Sequence, residues 1–304
     1  MPAQLVAEVR FHDRVGRVVA NDARRSSFTV RAGASLYALS GEDLSVLATW
    51  SVDPGSRGSH ASWPDKEFAL ESGPDSVVLR HVRGPAWTAP HPPWGGDFES
   101  GCAWFDGAGR PFAVVPTVDY DGCQVMALSR AAGKVVADAA ISTAPAGIQP
   151  VHHRDGWVGL SVGEGQDAAR TWWVRLAGDP PAVPELEVID AGWDDVVLAD
   201  VHPTGTLVVT TPHGTGPLVI RTFPGLEAVQ RVAAPTADTF WDLTAAFAGN
   251  VLVARLSGQP EVTVAIHGNG KLEPLGVGDG WLVPAATPTW LTVEHDRIRR
   301  WRMA

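Results

Sequence analysis

The stretch VVLADVHPTGTLVVTTPHGTGPLVIRTFPGLEAVQRV, residues 196–232, decides the fold. It contains four short runs rich in Val, Leu, Ile and Thr, residue types that favour β-strands. Successive runs are separated by breaks that carry Gly and Pro, which are typical of turns. The stretch therefore predicts four consecutive antiparallel strands joined by short turns.

The same plan recurs along the chain. The next group reads DLTAAFAGN, VLVARLSGQP, EVTVAIHGNG and KLEPLGV, and comparable groups open near residues 16, 59, 101, 149, 198, 242 and 280. The gaps between these openings are 43, 42, 48, 49, 44 and 38 residues. A period of about 40–50 residues is typical of a four-stranded propeller blade. The repeats predict an all-β chain, with one seven-bladed β-propeller domain over residues 1–304.

The two ends of the repeat predict how the ring closes. The last group has only three strands, WLVPAA, TWLTVEH and RIRRWRM, whereas residues 5–11 form an additional strand pattern ahead of the first group. Pairing this N-terminal strand with the last one would complete blade seven and cover two sheet edges. A two-domain β-sandwich would also explain the strands, but not their grouping in fours or the missing final strand.

A known superfamily shows this blade plan. With the HPTG turn at residues 202–205 and the strand end IRRW at residues 298–301, the chain resembles the seven-bladed β-propellers of the WD-repeat-like superfamily. Its Trp-Asp pairs, at residues 193–194 and 241–242, precede first strands instead of ending third strands. The resemblance implies a rigid disc that serves as an interaction platform.

Composition and charge argue against several classes of protein. A chain of 304 residues with 45% hydrophobic side chains needs neither metal nor disulfide to fold. Its net charge of −10 lacks the basic stripe that nucleic acid requires, and no run of eighteen apolar residues could span a membrane. We expect a cytoplasmic protein, because the N-terminus does not read as a signal peptide and there are only two cysteines. No cofactor is expected.

Those two cysteines are predicted to be free thiols. Cys102 and Cys123 fall on the first and third strands of one predicted blade. Strands two apart in a sheet are separated by about 9.6 Å. A disulfide requires Cα atoms within about 6.8 Å. The sequence therefore predicts no bond between them.

Aromatic and acidic residues are concentrated in the linkers that lead into first strands. These linkers share one rim of a propeller with the turns between second and third strands, so we predict a binding surface there. An acidic, aromatic rim would suit a protein, a peptide or a cationic small molecule. The alternative is that each tryptophan has only a structural role and packs its own linker against the blades. The predicted ligand-binding residues are Trp94, Phe98, Tyr120, Trp193, Phe240 and Trp241.

A propeller enzyme of the lyase or hydrolase type is the alternative function. It would need an acid and a base at the channel mouth, within reach of one substrate. The G-x-S-x-G match at residues 159–163 lacks the following helix that a nucleophile elbow requires. The adjacent pair His152 and His153 would point to opposite faces of a strand, so no metal site is predicted. The candidate catalytic residues are His60, Asp97, Glu99, His152, Asp194, Asp195 and Asp242.

Overall fold

Every regular element in the described part of the chain is a β-strand. The computed structural model describes residues 2–52, 59–62, 67–95, 101–119, 122–143, 147–163, 168–178, 184–258 and 261–304. The strands form seven antiparallel sheets of four strands each. The predicted seven-bladed all-β architecture is confirmed.

Each of blades one to six uses four consecutive strands, and one strand precedes them all. That first strand is β1 (Ala3–Arg10). Blade one contains β2 (Val15–Ala20), β3 (Ser27–Ala32), β4 (Ser35–Ser40) and β5 (Val46–Ser51). Blade two contains β6 (Ser59–Ser62), β7 (Phe68–Ser72), β8 (Ser76–His81) and β9 (Gly84–Pro90). Blade three contains β10 (Cys102–Phe105), β11 (Pro111–Pro116), β12 (Cys123–Leu128) and β13 (Val135–Ile141).

Blades four to six follow the same order, with the longest strands in blade four. This blade contains β14 (Gly147–His152), β15 (Val158–Gly163), β16 (Ala169–Ala177) and β17 (Glu185–Asp194). Blade five contains β18 (Val196–Val201), β19 (Leu207–Pro212), β20 (Leu218–Thr222) and β21 (Ala228–Val232). Blade six contains β22 (Phe240–Ala248), β23 (Val251–Ser257), β24 (Val262–Ile266) and β25 (Leu272–Pro274).

Blade seven is built from both ends of the chain. Its three C-terminal strands are β26 (Trp281–Pro284), β27 (Thr289–Val293) and β28 (Arg297–Met303), and β1 pairs antiparallel with β28 as its fourth strand. The register runs from Ala3 opposite Met303 to Arg10 opposite Arg297. The predicted ring closure is therefore confirmed.

The first strand of each blade lies innermost, because these strands contact one another around the ring. They begin at residues 15, 59, 102, 147, 196, 240 and 281, each within two residues of a predicted opening. We call the face on which the inner strands begin the upper face, and the face on which they end the lower face. The two mouths of the central channel open on these faces.

The hydrophobic core fills the seams between neighbouring blades. In the seam between blades three and four, the rings of Trp104 and Phe112 stack with centroids 5.2 Å apart and are almost fully buried. Val158, Leu160 and Val174 of blade four pack into the same cluster. Alternating strand residues thus bury one face of each sheet against the next blade.

Buried side chains also join the seams by satisfying backbone N–H groups of the inner strands. An inner strand has no paired strand on its channel side, so the backbone N–H groups on that side need other acceptors. The Leu198 N–H donates to Ser161 Oγ of blade four at 2.7 Å, and the Phe247 N–H donates to Asp200 of blade five at 2.7 Å. Asn21 accepts the Ser62 N–H at 3.1 Å in the same way. These bonds fix each blade against the next.

The two cysteines are free and buried. Cys102 lies on β10 and Cys123 on β12, with β11 paired between them. The Cys123 thiol donates to the Thr143 carbonyl oxygen at 3.1 Å. The structure confirms the prediction that neither thiol forms a disulfide.

Candidate functional site

Two of the tryptophans predicted to be exposed are buried instead. Trp193 lies within the outer strand β17 with 7% of its surface exposed, and Arg221 stacks 4.7 Å above its ring. Trp241 lies within the inner strand β22, is 1% exposed, and donates from Nε1 to the Val232 carbonyl oxygen at 2.9 Å. The expectation that these rings are exposed is wrong. Both strands extend through the segments that were predicted to be linkers, and they direct the two rings into the packed seams between blades.

The other predicted aromatic residues differ in placement. Trp94 follows β9, is half-buried, and packs on the core between blades three and four. Phe240 begins β22 at the upper face and is 45% exposed. Phe98 and Tyr120 lie outside the described residues. Phe240 is thus the described aromatic of this set that presents its ring to solvent.

The candidate acid and base residues are distributed over several blades. His60 is buried on β6, His152 is half-buried on β14 and Asp242 is half-buried on β22. Asp194 ends β17 and Asp195 follows it. No hydrogen bond, ion pair or resolved electrostatic interaction joins any two of these five residues. Asp97 and Glu99 lie outside the described residues.

A groove on the upper face separates blades six and seven. It has a volume of about 380 Å³ and contains Asp242 together with Trp281, the half-buried first residue of β26. Phe240 stands opposite Ser257 of β23, which also lines the groove, so the exposed ring borders it. The charged residues along the groove are Arg14, Asp242, Arg255, Glu261, Asp279 and Glu294.

Some of these charges already have partners within the fold. Glu294 accepts hydrogen bonds from Arg297 at 2.5 Å and from Arg299 at 2.7 Å. Arg255 pairs with Glu261 and donates to the Gly280 carbonyl oxygen at 2.6 Å. Both Glu294 and Glu261 are therefore committed to arginines of this chain.

The two remaining carboxylates of the groove differ in their contacts. Asp279 is exposed and forms no hydrogen bond or ion pair with the residues that the structure describes. Asp242 accepts the Leu243 N–H at 2.7 Å and forms a long ion pair with Arg255 at 3.9 Å. The groove therefore offers acceptor oxygens beside the indole of Trp281. Carboxylates next to an aromatic ring suit a cationic ligand group.

The lower half of the channel is closed by a buried ion pair. Arg25, in the turn after β2, donates to Asp200 at the end of β18 and to the carbonyl oxygens of Val201 at 3.0 Å and Ala285 at 2.8 Å. Blades one and five are not neighbours, so the side chain crosses the channel. Asp200 also accepts the N–H groups of Val201 and Phe247, both at 2.7 Å. The pair links blades one, five, six and seven.

Burial shifts the protonation of two groups in this lower half. It raises the pKa of Asp200 to about 6, although Arg25 and the backbone donors act in the opposite direction. It lowers the pKa of His152 to about 4, although the carboxylates of Asp22 and Asp106 act to raise it. At neutral pH the imidazole is therefore uncharged, and the Asp200–Arg25 pair is ionised.

The upper half of the channel is crossed by a second arginine. Arg17 of β2 donates from Nη2 to the Ile148 carbonyl oxygen of β14 in blade four, again between blades that are not neighbours. Its charge acts on Cys102 and on His60. His60 lies 3.5 Å from Glu71, which also pairs with Arg80 at 2.8 Å. Burial lowers the pKa of His60.

Sequence reasoning missed Arg17, Arg25, Asp200 and Asp279. A signal existed for the two inner-strand residues, since each is a lone charge within an apolar run, GRVVA or VVLADV. A charge at a position that should be buried calls for a partner. Which partner it finds depends on blades that lie more than a hundred residues away along the chain.

Within the described ranges, no three His, Cys, Asp or Glu side chains are grouped closely enough to hold a metal ion. The same residues include no helix that is long and apolar enough to cross a bilayer.

The ring of seven four-stranded sheets defines a seven-bladed β-propeller. No protein-family model and no curated protein matches the sequence. Among solved structures, the β-propeller domain of Cps50 (Swd1) from Myceliophteria thermophila matches over 100% of both chains, with a TM-score of 0.61 and 10% sequence identity. This likeness establishes the fold alone, and at that level it confirms the resemblance to WD-repeat-like propellers.

Proposed function

We propose that this chain is a non-catalytic binding propeller that takes a cationic group of a protein or peptide partner in the groove between blades six and seven. The observation that carries this proposal is the exposed carboxylate of Asp279, which has no partner among the described residues and lines the groove together with Asp242 and Trp281. An arginine side chain could donate to both carboxylates while its planar guanidinium stacks on the indole. Phe240 would add apolar contact at the border of the groove.

The charge of the whole molecule supports a cationic partner. At −10, the protein attracts basic ligands and repels nucleic acid. The two buried free thiols fit a reducing compartment, so we place the interaction in the cytoplasm. The platform role of WD-repeat-like propellers is compatible with this assignment, but it does not name the ligand.

A propeller enzyme has less support. General acid–base catalysis requires two groups within hydrogen-bonding reach of one substrate. The described candidates His60, His152 and Asp242 each interact with different partners on different blades. Of these candidates, Asp242 alone lines the groove, so they supply no acid–base pair there, which fits binding better than turnover.

The test compares two peptide pools. One pool of hexapeptides carries arginine at a fixed position, and the matched pool carries citrulline, which has nearly the same shape without the charge. We expect the protein to retain the arginine pool in preference to the citrulline pool. Peptides selected in this way are then titrated by calorimetry against the wild type and variants.

Asp279→Asn is the decisive variant because this exposed carboxylate supports no contact within the described structure. Losing one charge-assisted hydrogen bond should weaken binding about tenfold or more and leave the melting temperature unchanged. Glu227→Gln removes an exposed carboxylate from the lower face and serves as the control. Equal retention of the two pools, or equal affinity of Asp279→Asn and wild type, would contradict the proposal.

A further inference from the structure

In the upper half of the channel, Arg17 pairs with no carboxylate of the residues that the structure describes. Arg17 extends across the lumen and uses the Ile148 carbonyl oxygen as its acceptor. A guanidinium carries five N–H donors, so one carbonyl satisfies only part of its capacity. Burial lowers the pKa of Arg17, and no carboxylate contributes to that pKa. The cost of burying this charge is therefore largely uncompensated by the protein.

The acidic side chain beside His60 is already engaged. Glu71 pairs with Arg80 at 2.8 Å and lies 3.5 Å from His60. Burial lowers the pKa of His60, Glu71 acts to raise it, and Arg31 and Arg17 act to lower it.

Arg25 shows how the same fold treats a channel arginine when it supplies the partner itself. That guanidinium is buried against Asp200 and two carbonyl oxygens. Arg17 lies in the same blade and crosses the same channel, yet it meets a carbonyl alone. Arg17 is also only half-buried, so part of its side chain is open to solvent.

We infer that the upper half of the channel is a binding site for a small monovalent anion, held by the guanidinium of Arg17. Chloride and short carboxylates have the appropriate charge and size, and carboxylates match the planar donors of arginine. The Ile148 carbonyl holds one end of the guanidinium, which leaves its other N–H groups free to donate to the ion. This site is separate from the cationic groove, since it lies in the lumen and has the opposite charge.

The experiment uses chloride as the probe. Binding to the intact protein should broaden the chloride-35 NMR line beyond that of a protein-free solution at the same ionic strength. Acetate should remove the excess broadening by competition, while the much bulkier benzenesulfonate should not. Competition by both anions alike would place the ion on the outer surface and overturn the proposal.

Variants assign the site to one residue. Arg17→Gln should reduce the excess broadening about fivefold or more, and Arg17→Lys should retain part of it because it keeps the charge. Arg24→Gln removes an exposed charge from the same blade and should match the wild type. Unchanged broadening in Arg17→Gln, or no excess broadening in the wild type, would refute the site. If Arg17→Gln fails to fold, the competition by acetate alone decides.

Discussion

The two halves of the central channel solve the same electrostatic problem in different ways. In the lower half, Arg25 is paired with Asp200 and with backbone carbonyls from blades five and seven. In the upper half, Arg17 has one carbonyl acceptor from blade four. A charge whose burial is balanced internally holds the fold together. A charge that is left unbalanced is available to a ligand, so the lower half is structural and the upper half is open to function.

The largest effect should follow from removing the lower carboxylate. Asp200→Ala leaves Arg25 buried without its counter-ion and also leaves the Phe247 N–H without its acceptor. Breaking one side of a buried pair costs about 3–5 kcal/mol. Guanidinium chloride denaturation should show this loss in the free energy of unfolding.

The control for this change is Asp238→Ala, which removes an exposed carboxylate. It should stay within about 0.5 kcal/mol of the wild type. If Asp200→Ala were no more costly than this control, the lower half would not be the structural one.

Neutralising each arginine in turn should show that the two halves of the channel contribute differently to the free energy of unfolding. Arg25→Gln should cost about 2–4 kcal/mol, because Asp200 and its seam lose their cationic partner. Arg17→Gln should cost less than about 1 kcal/mol in a chloride-free buffer, since it removes a charge that has no internal partner. Denaturation midpoints and slopes would give both values. The reverse order of the two costs would break the comparison.

The titration of His152, in the lower half of the channel, should make the free energy of unfolding depend on pH. Its folded pKa of about 4 is below the ordinary value of 6.5, so the unfolded chain takes up the proton first as pH falls. The contribution of His152 is complete above pH 6.5 and is lost as pH falls towards 4. That loss amounts to about 3 kcal/mol.

The contribution of Asp200 to stability changes with pH in the opposite direction. Its folded pKa of about 6 exceeds the ordinary 3.8, so its contribution is present at low pH and lost as pH rises through 6. Replacing His152 with Gln should therefore expose this falling slope between pH 4 and 6.5. Thermal melts of wild type, His152→Gln and the exposed control His12→Gln measure it. Parallel profiles for all three would show that His152 does not titrate with folding.

The smallest expected effect concerns the thiol beside Arg17. Burial raises the pKa of Cys102 to about 12, although the charge of Arg17 acts to lower it. Iodoacetamide at pH 8 should therefore leave Cys102 unmodified in the native protein and alkylate it after unfolding. Mass spectrometry reads the outcome. Rapid alkylation of the native protein would mean that the charge of Arg17 affects the pKa of Cys102 more strongly than burial does.

The repeat in the sequence predicted the fold because every blade carries its own strand and turn pattern. The stretch at residues 196–232 contains all four strands of blade five, and the unpaired strands at the two ends identified blade seven. Trp193 and Trp241 were misplaced because local pattern does not show how far β17 and β22 extend. Arg17 and Arg25 were missed since their partners, Ile148 and Asp200, are set by the closure of the ring.

The pairing of β1 with β28 also determines how the propeller would respond to mechanical force. The Ala304 N–H donates to the Pro2 carbonyl oxygen at 3.1 Å, so both ends of the described chain lie side by side at the lower edge of blade seven. Tension applied between them would load the pair at Ala3 and Met303 first and open the ladder bond by bond towards Arg10. Such unzipping requires far less force than shearing a whole strand, so the ring would open readily under a pull on its two ends.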